Sequence, residues 1–137
     1  MPEKFRCLLI DPEKREVSEI SCAEGRMVAA LGDCLPDTMR IADHGSSYDY
    51  GMVDDTGLSR GKPIHAFQFI GMSDDPIAGK CLLYGATKFG GETCDAKFNI
   101  DTLRAVVRWL GLIVPKVEWT KEGNVDRAKV TWERYHV

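Results

Sequence analysis

"NIDTLRAVVRWLG", residues 99–111, decides the fold of this chain, because it carries the clearest helical spacing anywhere in the sequence. Ile100, Leu103, Val106, Val107 and Leu110 fall on one face at i, i+3, i+4 intervals. Asn99 is a fitting N-cap, and Asp101 stands in the first turn, near the positive end of the helix dipole. Gly111 supplies a C-terminal stop. The spacing predicts one long amphipathic helix over about 99–111, with its stripe in the core.

On either side of this stretch the pattern is mainly β. After it, "PKVEWTKEGNVDRAKVTWERY" (115–135) reads as a hairpin. Val117 and Trp119 alternate with Glu118 and Thr120, Val130 and Trp132 alternate with Thr131 and Glu133, and the turn lies around Glu122-Gly123-Asn124. Before it, "TKFGGETCDAKF" (87–98) is a glycine-bearing loop, and "GKCLLYGA" (79–86) has the length and apolarity of a strand buried on both faces. "PIHAFQFIG" (63–71) is a strand with Pro63 at its start. Met39–Ile41 and Tyr48–Val53 are short strands joined by "DHGSS". "FRCLLIDPEKREVSEISC" (5–22) is a hairpin turning at Asp11-Pro12, followed by a short helix near 23–32 that ends at Gly32. This order predicts a single α+β domain over 1–137: a mostly antiparallel sheet with the long helix packed on one face.

A chain of 137 residues, 44% hydrophobic and 28% charged, is long enough to bury a core without disulfides or metal. The net charge of −3 disfavours nucleic-acid binding driven by overall positive charge. Residues 97–137 nevertheless hold eight Lys and Arg against five Asp and Glu, a basic end facing an acidic remainder. The first apolar run, Cys7 to Ile10, is too short for a signal sequence or a membrane span, so a cytoplasmic location is expected. Five cysteines (Cys7, Cys22, Cys34, Cys81, Cys94), odd in number and without a CxxC pair, read as small apolar side chains in a reducing compartment.

Chemistry-bearing residues gather in "VDDTGLSRGKPIHAFQFIG" (53–71). Asp54 and Asp55 form an acid/base or cation-holding pair in one reading, with His65 as proton carrier. Asp-Asp-Thr-Gly is also ordinary turn chemistry, and His65 shares a strand face with Phe67 and Phe69. Turn followed by strand is the simpler account. Cys34, Asp43, His44, Cys94 and Asp95 are zinc-ligand types without zinc-site spacing, and no metal or cofactor is expected. Cys94, in the glycine loop, is a candidate nucleophile. Gly85, Gly90 and Gly91 match no phosphate-binding motif. Arg104 and Arg108, one turn apart on the expected helix, could form an anion-binding patch with Lys97, Lys116 and Arg127. Trp109, Trp119 and Trp132 would pack around that helix and hairpin or mark a contact surface.

"LLIDPEKREVSEI", "VDDTGLSRGKPIHA" and "IAGKCLLYG" resemble a family of small phage and bacterial proteins of unknown function. The likeness is an apolar-Asp-Pro hairpin, an acidic-Gly-Leu turn, a Gly-x-Pro step and a Gly-bearing apolar strand. The positions are Asp11, Pro12, Gly57, Leu58, Gly61, Pro63, Ala66, Gly79 and Gly85, within about 5–86. His65 departs from the pattern, and 97–137 has no counterpart in it. The resemblance implies a mobile-element context and action on a host component, and it carries no catalytic residues. The expectation is a non-catalytic binding protein for a host protein or small ligand, with a homo-oligomer as one form open to it, and not membrane-bound. The alternatives are a small hydrolase or transferase using Asp54, Asp55 and His65 or Cys94, and a weak nucleic-acid binder through Arg104 and Arg108.

Overall fold

The computed structural model describes residues 3–32, 34–58, 61–72 and 74–136. The chain runs β1 (Lys4–Asp11), β2 (Glu16–Ala23), α1 (Met27–Ala30), β3 (Pro36–Asp43), β4 (Ser47–Asp54), β5 (Ile64–Phe69), β6 (Ile77–Ala78), β7 (Cys81–Thr87), β8 (Thr93–Cys94), α2 (Ile100–Val106), β9 (Val107–Glu122) and β10 (Val125–Arg134). A single 3-10 turn, Glu24–Arg26, leads into α1.

Residues 99–111 are not one helix. Asn99 caps as expected, its side-chain oxygen accepting from the N–H groups of Asp101 and Thr102, but α2 ends after seven residues. Val107 then opens a strand of sixteen. The α+β expectation is thereby corrected: the protein is mostly β, two antiparallel sheets with two short helices among the described residues. The physical reason begins at Val106. Val106, Val107, Trp109, Ile113 and Val114 are β-branched or aromatic, side chains that lose rotamer freedom in a helix and pack well on a pleated surface. A β-bulge accounts for the helix-like spacing. Ala66 pairs with Gly111 but Phe67 pairs with Trp109, which leaves Leu110 as an extra residue. Gly111 there takes φ +75°, a conformation that costs other residues. From Val107 to Ile113 the buried positions therefore fall at Val107, Leu110 and Ile113, an interval of three that imitates a helical stripe, before Pro115 returns to strand alternation.

The first sheet has the order β2-β1-β7-β4-β3, with β8 also on β7, and the second has the order β10-β9-β5-β6. Strand alternation buries the first sheet on both sides. Leu8 and Ile10 of β1, with Val17, Val53, Cys81 and Leu83, meet Phe67, Phe69, Leu103 and Val107 in a core shared by both sheets. Cys7, Cys22 and Leu82 face the other way and pack with Met27 of α1. The expectations of strands over 5–22, 63–71 and 79–86, and of a C-terminal hairpin, agree with these elements.

The glycine-bearing loop before α2 is pinned, which the sequence did not suggest. Asp95 Oδ1 accepts from Arg6 N at 2.8 Å, and Ala96 N donates to Arg6 O at 2.8 Å. Asp49, fully buried on β4, accepts from Lys97 N at 3.1 Å and from Phe98 N at 2.8 Å. His44 Nε2 lies 3.1 Å from the same carboxylate. Gly85 makes this crossing possible, because a Cβ there would overlap the Asp95 carbonyl.

Candidate functional site

The turn at the end of β4 forms as turn chemistry demands. Asp54 Oδ1 accepts from Thr56 N at 3.0 Å and from Thr56 Oγ1 at 2.9 Å, while Gly57 N donates to Asp54 O at 3.3 Å. Gly57 is needed here for closeness and not for a left-handed backbone: an added Cβ would stand 3.0 Å from the Ala78 methyl. Ser59 and Arg60 of this stretch lie outside the described residues.

Beside that turn the two sheets part, and a cleft of about 320 Å³ opens between them. Met39 and Val53 of the first sheet and Phe69, Ile77 and Ala78 of the second line its apolar wall. Four carboxylates, Asp37, Asp54, Asp55 and Asp75, also line it, and no lysine or arginine is among its described lining residues. Register explains the grouping. Asp37 stands opposite Val53 and Pro36 opposite Asp54 in the β3–β4 ladder, so acidic groups far apart in sequence meet at one end of the sheet. Leu35, whose carbonyl accepts from Asp55 N at 2.9 Å, and Met72 at the cleft itself remain exposed at 64% and 50%.

His65 does not line this cleft. It lines a second one of about 250 Å³ with Asp11, Asp54, Ile64 and Lys80. Asp54 thus borders both clefts, Asp55 the first and His65 the second, and the three are not gathered on one volume. Cys94 pairs opposite Gly85 in β8 and lines neither cleft. Burial pushes the Cys7 and Cys81 thiols up to about 12, so both stay protonated near neutrality.

The zinc-ligand types are engaged separately. Asp43 pairs with Lys88 at 2.7 Å, His44 faces Asp49, and Asp95 holds Arg6 N. Among the described residues no group of three His, Cys, Asp or Glu side chains is placed to hold a metal ion.

The basic candidates are dispersed as well. With α2 ending at Val106, Arg104 donates to Val17 O at 2.9 Å, while Arg108 lies on β9 opposite Gln68. Lys97 Nζ donates to Ser46 Oγ at 3.1 Å, and Lys116 and Arg127 stand on the β9–β10 hairpin. Trp109 packs edge-on to Phe67 at 6.3 Å, Trp132 packs against the Ala66, Leu110 and Ile113 cluster, and Trp119 is 71% exposed.

Sequence reasoning singled out Asp54 and Asp55 but missed Asp37, Met39, Asp75 and Ile77, which complete the cleft. Asp37 carried no signal without the β3–β4 register, because nothing local ties it to residues 53–55. Among the described residues no helix is long and apolar enough to cross a membrane. No family model matches the chain, and comparisons with curated proteins and with solved structures return no match either.

Proposed function

We propose that this is a non-catalytic, cytoplasmic binding protein whose inter-sheet cleft takes a cationic group carried on an apolar body. One observation carries the reading: an apolar wall and the carboxylates of Asp37, Asp54, Asp55 and Asp75 line one cleft. Apolar surface supplies affinity, and a few placed charges supply orientation and selectivity. The matching chemistry is an ammonium or guanidinium group next to an aliphatic or aromatic group. A small amine has it, and so does a lysine or arginine beside an apolar side chain on a host protein segment. The resemblance to phage proteins favours the host segment, and the exposed Leu35 and Met72 beside the cleft supply apolar surface for it. The hydrolase alternative rests on Asp54 and His65 sharing the second cleft.

Calorimetry tests the reading with three probes: phenethylamine, its neutral analogue 2-phenylethanol, and a short peptide of alternating lysine and leucine. The cationic probes should bind, more weakly as salt rises, and Asp37→Asn with Asp55→Asn should lower their affinity. Equal binding of the amine and the alcohol, or no effect of the double substitution, would exclude the charge-based account.

A further inference from the structure

The outer half of the basic C-terminal hairpin pairs with no strand beyond itself among the described residues. β5 pairs with β9 only over Val107–Ile113, so from Lys116 to the Gly123-Asn124 turn and back to Lys129 the arm is a two-stranded ribbon. β10 ends the second sheet, and its outer edge pairs with no strand among the described residues. On one face of the ribbon apolar residues run inward of the Lys121–Asp126 pair at its tip. Val117, Trp119, Ala128, Val130 and Trp132 share this face, since Val117 pairs with Val130 and Trp119 with Ala128. Trp119 on this face, and Val125 and Tyr135 on the other, are exposed. A lone two-stranded ribbon is marginal in water, and a long open edge invites another strand.

We propose that β10 pairs antiparallel with β10 of a second copy, about a two-fold axis through Val130. The charges along β10 specify this register. It sets Asp126 opposite the partner's Arg134, Arg127 opposite the partner's Glu133, and Val125 opposite the partner's Tyr135. Symmetry makes each pair twice. A one-residue slip sets Asp126 against the partner's Glu133 in one direction, and Arg127 against the partner's Arg134 in the other. Moving the axis to Lys129 opposes that lysine to itself, and moving it to Thr131 keeps only the Lys129–Glu133 pairs. Like charges directly opposite are destabilising, so one register stands out. Arg127 is loosely held within its own chain, 3.4 Å from an exposed Glu122. On the apolar face Ala128 separates Trp119 from the partner's Trp132. The small alanine lets the two indoles meet above it, joining the apolar faces of the two arms.

Sedimentation velocity from micromolar to millimolar concentration should show a monomer–dimer equilibrium. Arg127→Glu alone, and Glu133→Arg alone, each place like charges opposite one another and should raise the dissociation constant roughly tenfold. The double substitution, and equally a mixture of the two single variants, restores opposite charges and should recover dimerisation. Within one chain residues 127 and 133 are too far apart along a strand to touch, so rescue reports an intermolecular contact. Circular dichroism confirms that each variant is folded. A monomer at every concentration would overturn the proposal. So would a dimer that ignores the charge swaps, or singles that weaken it without rescue.

Discussion

Removing the Asp49 carboxylate should unfasten the connector that carries the chain from the first sheet into α2. Asp49 is fully buried and accepts from two consecutive backbone donors, Lys97 N and Phe98 N, with His44 Nε2 at 3.1 Å beside them. Asp49→Ala leaves both donors without an acceptor, and each unmet donor costs about 1–3 kcal/mol, so a loss of about 2–6 kcal/mol is expected. Asp49→Asn keeps one carbonyl oxygen, and because Oδ2 alone lies 3.1 Å from Lys97 N and 2.8 Å from Phe98 N, that oxygen can serve both donors without the charge, which limits the loss to about 1–3 kcal/mol. Urea denaturation reads the difference. At a slope of about 1.5 kcal/mol/M, the alanine variant's midpoint should fall by about 1.3–4 M with the slope itself unchanged. Amide exchange at Lys97 and Phe98 should accelerate more than exchange in β1 and β7. A loss below about 1 kcal/mol for Asp49→Ala, the value of an exposed polar contact, would refute the claim that this carboxylate anchors the connector.

Gly85→Ala should destabilise the protein by about 2 kcal/mol or more, because the added methyl meets the Asp95 backbone and not a movable side chain; thermal melts of the variant check this. In native protein near neutral pH a disulfide reagent should modify Cys34 and Cys94, which are half-buried, well before Cys7 and Cys81, whose protonated thiols react only on unfolding. The Asp43 carboxyl is held below its ordinary 3.8 by the hydrogen bond from Lys88 and then by the Gly45 N–H. Its stabilising contribution is therefore complete above that value and is lost as pH falls through the lower folded value. An NMR titration should find the Asp43 midpoint below 3.8 and returning toward 3.8 in Lys88→Met.

Much of the sheet was legible because strand alternation and turn chemistry are local. The hairpin over 5–22, the doubly buried run at Cys81-Leu82-Leu83 and the ribbon turning at Gly123 all follow from neighbours in sequence. Residues 107–111 were misread because a bulge at Leu110 resets the phase of the strand, and burial at Val107 and Leu110 then matches helical and bulged-strand spacing alike. The Asn99 cap was a true signal that fixed where α2 starts but not how far it runs. The site was half legible. Asp54 and Asp55 announced a turn, but the cleft depends on Asp37, Phe69, Asp75 and Ile77, which only tertiary register brings beside them. Arg104 and Arg108 do not stand one helical turn apart, because α2 ends at Val106 and Arg108 lies on β9.

The cleft between the sheets is the proposed binding surface, and methyl-labelled NMR titration with phenethylamine tests that most directly. Shift changes should concentrate on Met39, Val53, Leu58, Met72 and Ile77 and disappear in the Asp37→Asn, Asp55→Asn double variant. Changes centred on Ile64 and His65, or spread evenly over the surface, would contradict it.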